Sequence, residues 1–184
     1  MPESLNQWHA EHVNFAQLLA LFERELARFH EGERPDYALM LDIVDYLRYY
    51  PDRFHHARED VAFERLVARD PNLRVRINRL LQEHRVIARA GDELLRLLND
   101  VADEAMVPRE AVEAAAATYL VYYRHHLATE ERDIMPRTAE LLDAEDWAAV
   151  GAAVPAGPDP LFGDAAEARY AALRRLIDLE AKTR

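Results

Sequence analysis

The sequence predicts an all-α protein, an up-down-up-down four-helix bundle with a C-terminal helical appendage. Three observations support this fold class. The chain has 184 residues, of which only 5 are glycine and 50% are hydrophobic. Alanine, leucine, arginine and glutamate are abundant, and runs of β-branched residues are few, a composition that favours helices. Apolar side chains recur every three to four residues over four long stretches. Short segments that contain glycine or proline separate these stretches, and short connections place successive helices antiparallel.

Apolar periodicity predicts the first two helices. The first is expected over residues 4–30 and ends before Gly32. The second begins near Asp36 and continues through Phe63. Pro51 stands in its middle and is expected to kink or break it, because proline cannot donate a helical hydrogen bond.

Two further helices complete the predicted bundle. The third is expected over residues 72–101, with one apolar face along its length. The fourth starts at Pro108, because proline suits the first turn of a helix, and it runs to about Leu142. Pro136 is expected to kink its last turns.

The composition changes beyond the bundle, which is assigned to residues 1–143. Trp147 marks a short helix, and the proline-rich segment 154–160 is expected to form a stiff loop. Residues 164–182 have the pattern of a last amphipathic helix. Residues 144–184 are therefore predicted to form an appendage that packs on the bundle.

The composition also excludes several classes of partner. The chain carries 23 basic and 34 acidic residues, a net charge of −11, and its arginines are interspersed with acids, which argues against nucleic acid and against an anionic membrane. The absence of cysteine excludes disulfides and thiolate metal sites. The N-terminus lacks a signal-peptide pattern, and no stretch approaches the roughly 20 apolar residues of a membrane span. A cytoplasmic protein is therefore expected.

Histidines and acids recur with metal-ligand spacing on all four predicted helices. On the second and fourth helices a histidine precedes a glutamate by four residues, so both side chains share a helix face. On the first and third helices a single histidine lies in the apolar stripe. Counted along antiparallel helices, the four levels agree within about one turn. The predicted metal ligands are His12, His55, Glu59, His84, His126 and Glu130.

Other histidines are alternatives to this set. His56 is the nearest, because it adjoins His55 and precedes Asp60 by four residues; it could bind the metal or hydrogen-bond to a ligand. His9 and His125 are weaker alternatives of the same kind. Each feature alone has a common structural explanation, a hydrogen-bonded core histidine or an exposed helical pair. Four such features at matched depth favour metal binding.

The ligand types limit the metal and its chemistry. Nitrogen and oxygen donors without sulfur suit iron, manganese or zinc, and iron is the first choice because such a site suits oxygen chemistry. Six side chains suffice for two metal ions if the carboxylates bridge, and the remaining positions stay open to a small molecule. Tyr122 lies one turn before His126 and could face this site.

These motifs together resemble the hemerythrin-like (HHE cation-binding) domain over roughly residues 5–142. The resemblance implies a four-helix bundle with a non-haem di-iron centre, in which Glu59, Glu130 and an oxo or hydroxo group bridge two Fe ions; Zn or Mn are alternatives. It also implies a small diatomic or peroxide ligand, and it leaves a homodimer open. The residues that carry the resemblance are Glu11-His12, His55-His56, Glu59-Asp60, Glu83-His84 and the segment from His126 through Glu130 to Pro136.

Two departures separate this chain from the oxygen-carrying hemerythrins that it resembles. Ala88 stands four residues after His84, where those proteins have a second histidine. Glu130 stands where they have an aspartate at longer spacing. These changes argue against reversible O₂ carriage. The leading hypothesis is a protein that binds or senses O₂, nitric oxide or peroxide, or that handles iron; the alternatives are an enzyme that turns over O₂ or peroxide and a helical protein-interaction module without metal.

Overall fold

A computed structural model describes residues 3–155, 157–164 and 166–181. This part of the chain is all-helical, and none of its helices combines the length and the apolar character that crossing a lipid bilayer requires. The cytoplasmic location and the homodimer stay predictions. The α-helices are α1 Glu3–His30, α2 Tyr37–Tyr50, α3 His56–Arg69, α4 Arg74–Ala102, α5 Arg109–Thr129, α6 Met135–Leu141, α7 Ala144–Ala153 and α8 Ala171–Ala181.

Helices α1 to α6 form four rods that pack as a bundle. The first rod is α1 and the third is α4. The second rod joins α2 to α3 through a π-helical turn at Pro51–His55, and the fourth joins α5 to α6 through a second π-helical turn at Glu130–Ile134. The first and third rods each pack against both the second and the fourth. The all-α bundle predicted from the sequence is confirmed.

Two hydrophobic clusters, a larger and a smaller one, fill the core at different levels. The chain runs from the smaller to the larger cluster along the first and third rods, and it returns along the second and fourth. Successive rods are therefore antiparallel, in up-down-up-down order. Residue pairs that mark the four passages are Trp8 then Phe15, Tyr50 then Phe63, Leu80 then Ile87, and Tyr123 then Ile134.

The two proline-containing rods widen at one turn and do not break. The backbone N–H of His56 donates to the carbonyl of Pro51, five residues earlier, whereas a regular α-helix would pair it with the carbonyl four residues earlier. In the fourth rod the N–H of Met135 donates to the carbonyl of Glu130, and Pro136 follows in the first turn of α6. A π-helical turn contains one residue more than an α-helical turn, so it changes which side chains beyond it face the core.

The C-terminal residues pack on the second rod. Helix α7 lies against α3, where Arg65 donates a hydrogen bond of 3.0 Å to Asp146. Helix α8 lies against α2, and just before α8 the Tyr170 hydroxyl donates to Asp45 of α2 at 2.6 Å. The short helix expected around Trp147 is α7. The division into residues 1–143 and an appendage stays a prediction.

The last helix begins later than the sequence predicts. It was expected from residue 164, but α8 starts at Ala171 after a 3₁₀ turn at Ala168–Tyr170. The carboxylate of Asp159 accepts the backbone N–H groups of Leu161 and Phe162, which holds this segment in a turn. The last residue of the predicted helix, residue 182, lies outside the described residues.

Two helical glycines provide a matched test of packing. A Cβ at Gly91 would overlap the Arg48 side chain and lie 3.1 Å from a Tyr119 ring carbon, whereas a Cβ at Gly151 would meet nothing within 4 Å. We expect Gly151→Ala to stabilise the fold by about 0.5–1 kcal/mol through helix propensity. Gly91→Ala should instead destabilise it, because overpacking costs about 1–3 kcal/mol. Urea unfolding measures both, and an equal gain at the two positions would contradict this packing.

Candidate metal centre

A band of buried polar side chains crosses the bundle between the two hydrophobic clusters. All four rods contribute to it, and each of its residues is at most 7% exposed. Burying so many ionisable groups is costly unless they are paired with each other or with a cation. The band consists of five histidines and two glutamates: His12, His55, His56, Glu59, His84, His126 and Glu130.

The band residues form two adjoining groups that share Glu59. Within each group, one potential ligand atom of every residue lies within 4.8 Å of the others. Because metal–nitrogen and metal–oxygen bonds of this kind are about 2.0–2.2 Å long, ligands on opposite sides of one ion are about 4 Å apart, so each group matches a single cation. The first group is His12, His55, Glu59 and Glu130, and the second is His56, Glu59, His84 and His126.

Both glutamates present one oxygen to each group. Oε1 of Glu59 lies 3.0 Å from Nε2 of His55, while its Oε2 lies 3.5 Å from Nε2 of His84. Oε2 of Glu130 lies 3.5 Å from an imidazole nitrogen of the first group, and its Oε1 lies 3.3 Å from Nε2 of His126. This is the orientation that carboxylates need to bridge two ions.

Most of the inward-facing atoms have no hydrogen-bond partner within the described part of the chain. Buried polar atoms are rarely left unpaired in proteins, and each exception requires an explanation. Here the unpaired atoms are the ones that a cation would contact, so the residues present fit two metal ions. They are Nε2 of His56, His84 and His126, Oε2 of Glu59, and both carboxylate oxygens of Glu130.

A carboxylate contacts the outer nitrogen of each of the five imidazoles. An Nδ1–H that donates to a carboxylate fixes the tautomer and leaves Nε2 free for a metal ion. The Nδ1 contacts are His12 with Glu131 at 2.7 Å, His55 with Glu11 at 2.6 Å, His56 with Asp52 at 2.8 Å, His84 with Asp60 at 2.7 Å and His126 with Glu83 at 3.4 Å.

Four of these five contacts cross between rods and close a ring around the bundle. Glu11 of the first rod supports His55 of the second, and an acid of the second supports a histidine of the third. Glu83 of the third rod supports His126 of the fourth, and an acid of the fourth rod supports the histidine of the first. The glutamate of each Glu-His motif therefore acts on the histidine of the next rod and not on its own neighbour.

Protons balance the charges of the protein's own groups at this site. Burial lowers the pKa of His12, but hydrogen bonds to Glu131 and Glu59 outweigh it and raise that pKa to about 10. Burial raises the pKa of Glu59, but the charge of His55 and hydrogen bonds from the imidazoles hold it well below its usual value. Burial and then the charge of His84 lower the pKa of His56 far below that of a free histidine. A cation that enters the site has to displace the imidazole protons.

The structure brings the six expected ligands together and adds His56. On a helix, the side chains three and four positions before Glu59 lie on the same face as Glu59, one on each side of it. His56 therefore reaches the second group and His55 the first. The second imidazole that Ala88 does not supply after His84 is thus matched by His56 of the second rod. The signal was present in the sequence as His-His-x-x-Glu.

Three other candidates lie outside the two groups. The side chains of His9 and His125 are 54% and 50% exposed. The suggestion that Tyr122 faces the site is wrong, since it is 41% exposed; the inward face of α5 passes instead through Tyr123, whose ring lies 6.1 Å from that of His56. Burial raises the pKa of the Tyr123 hydroxyl well above its usual value, so the hydroxyl stays protonated.

A cavity of about 430 Å³ lies between α1 and α5, beside the first group. Most of the surface that lines it is apolar, and His9, Arg124 and the His12–Glu131 pair supply its polar lining. The cavity therefore brings solvent-accessible space next to a band residue. Its apolar walls are formed by Val13, Ala16, Leu19, Leu127 and Ala128.

Comparison with known families agrees with this geometry. Residues 3–138 match the model of the hemerythrin HHE cation-binding domain. The chain belongs to this family. The matched hemerythrin segment contains all of the band residues and the four acids that each contact a histidine of another rod. It ends within α6. No curated protein matches the chain.

The first prediction for this hemerythrin site concerns the supporting acids. Asp60→Ala removes the carboxylate at Nδ1 of His84 but leaves every band residue in place. Loss of such a partner typically weakens metal binding about 10–100-fold. Competition with a chelator measures the affinity. Glu64→Ala, an exposed position one turn further along α3, is the control and should leave the affinity unchanged.

The second prediction is that acid weakens metal binding. Burial alone would lower the pKa values of His12, His55 and His84, yet their carboxylate partners raise all three and so favour the protonated imidazoles; His12, whose pKa rises to about 10, holds its proton at neutral pH. Because metal binding must release those protons, the association constant should rise with pH, at least about tenfold per unit for one displaced proton. Calorimetry in buffers of different ionisation enthalpy counts the protons released, and an affinity independent of pH would contradict the prediction.

Proposed function

We propose that the protein binds two metal ions, preferably iron, through the seven band residues, and that it binds or senses a small diatomic or peroxide ligand there. One observation carries this proposal. Glu59 and Glu130 each direct one oxygen at each histidine group, and the facing atoms are largely unpaired. The chain's family membership supports the cation, and the open positions described next support the ligand.

The two proposed metal positions are unequal. The first has two imidazoles, His12 and His55, and the second has three; one oxygen of Glu59 and one of Glu130 face each position. An octahedral ion accepts about six donors, so the first position leaves more places free. An added small ligand is therefore expected at the His12–His55 position.

The donor set favours iron over zinc. Imidazole and carboxylate donors suit iron, manganese and zinc, and a thiolate-binding metal is excluded because the chain has no cysteine. Structural zinc sites are almost always four-coordinate, whereas the second position alone offers three imidazoles and two carboxylate oxygens. When bound, a pair of iron ions supplies one-electron redox chemistry and affinity for diatomic ligands and peroxide.

The protein's own groups support binding or sensing over hydrolysis. Every imidazole of the band holds a carboxylate at its outer nitrogen, so those acids are not free to act as general bases. Glu11 in addition accepts hydrogen bonds from Arg58 and from the Tyr50 hydroxyl. The hydrophobic clusters above and below the band keep bulk water out. These groups orient and shield the centre.

The cavity between α1 and α5 supports a small and weakly polar ligand. Its apolar walls lead to His12, which belongs to the group with more free positions. Such walls favour an uncharged diatomic molecule over a strongly hydrated anion. The ligand class proposed first is therefore a diatomic gas, with peroxide second.

Metal content tests this function. Elemental analysis and the visible spectrum of protein grown in iron should give about two irons per chain with oxo-bridge absorption. Glu59→Gln should lower the content towards zero, because Glu59 belongs to both groups. His56→Gln should leave about one ion, because only the second group loses a donor.

His30→Gln is the control, since His30 lies on the surface and should retain the full content. Wild-type protein with one zinc or with no metal would overturn the proposal and favour a structural site or an interaction module. Two ions in His56→Gln with an unchanged spectrum would remove His56 from the ligand set.

A further inference from the structure

Tyr123 is a buried donor without a partner. Its side chain is fully buried, and its hydroxyl has no hydrogen-bond partner in the part of the chain that the structure describes. Such a hydroxyl costs stability unless another group supplies the missing contact.

The position of Tyr123 indicates where that contact lies. Its ring is 6.1 Å from His56 of the second group and 6.4 Å from Phe15. Phe15 in turn lies 5.1 Å from His55 and 6.4 Å from His12, the two imidazoles of the first group. Tyr123 and Phe15 thus flank both groups from the side of the larger hydrophobic cluster.

The other donors around the band are already committed. Each outer imidazole nitrogen has its carboxylate, and both Arg58 and Tyr50 donate to Glu11. The buried donors without a partner among the described residues, apart from band nitrogens, are Tyr119, Tyr123 and Trp147. Trp147 belongs to α7, and Tyr119 lies one turn further from the band. Tyr123 is the unpaired donor whose ring contacts a band residue.

We propose that the Tyr123 hydroxyl donates a hydrogen bond to the small ligand held at the centre. This inference rests on the proposed metal centre. The proposed hydrogen bond requires a ligand with an atom that can accept it, on the side away from the metal. A small anion, or a diatomic molecule that gains negative charge on binding, has such an atom. A donor fixed in this place slows ligand release, which suits a protein that retains its signal molecule.

The test uses azide as a probe of the iron-loaded protein. In wild type, the vibrational band of bound azide should shift when H₂O is replaced by D₂O, because the hydroxyl proton exchanges. Tyr123→Phe keeps the ring and removes only the donor. The shift should then disappear, and stopped-flow dissociation of azide should become about tenfold faster, the value for loss of one hydrogen bond.

Tyr119→Phe is the matched control. It removes another buried, unpaired hydroxyl from the same helix, and Tyr119 touches Tyr123 with ring centroids 5.5 Å apart but contacts no band residue. Its dissociation rate and isotope shift should equal those of wild type.

The outcomes separate this inference from the proposed function. Iron content near two per chain, with azide release equal in Tyr123→Phe and wild type, would overturn the hydrogen bond and leave the function standing. An azide band in wild type that does not respond to D₂O would overturn it without any variant. A phenolate-to-iron absorption band that Tyr123→Phe lacks would also overturn it, by making Tyr123 a metal ligand. Wild-type protein without metal would refute the function itself.

Discussion

The structure depends on a ring of contacts in which an acid from one rod holds an imidazole of the next. Each supported histidine turns its Nε2 inward. The four acids that make these contacts, one from each rod, are Glu11, Asp60, Glu83 and Glu131. Buried histidines and carboxylates are unfavourable unless both ends of each group have partners. The ring supplies the outer partner, and the proposed metal ions would supply the inner one. Because every rod provides one acid to the next rod and has one histidine held by the rod before it, the ring also fixes the relative depth and rotation of the rods.

The π-helical turns adapt two of the rods to this requirement. Each stands beside the band, one just before His56 and the other beginning at Glu130. A regular helix would continue with a fixed phase, whereas one extra residue per turn lets the apolar faces on both sides of the band point into the core. The second rod can then contribute three adjacent donors and still bury Tyr50 above them and Phe63 below.

The two hydrophobic clusters give the band its chemical environment. They exclude water from above and below, so the charges of the band act strongly on each other and on any bound ion. Metal binding at the proposed centre would also stabilise the fold, because a cation would relieve an electrostatic cost that the folded chain otherwise carries. The cavity beside α1 and α5 and the Tyr123 hydroxyl are the features of this environment that concern a ligand.

The sequence by itself determined the helices of the bundle, their antiparallel order and the level of the band, because helical periodicity and turn residues are local signals. It also marked the six residues that the structure gathers, since a spacing of four shows which side chains share a face. Only the tertiary structure decided the positions of His56, Tyr123 and the supporting acids relative to the band. These depend on the rotation of one rod against another and on the π-helical turns, which local periodicity does not encode. The late start of α8 has the same origin, since Asp159 and Tyr170 are hydrogen-bonded to Tyr46 and Asp45 of α2, and these tertiary contacts override the local helical pattern.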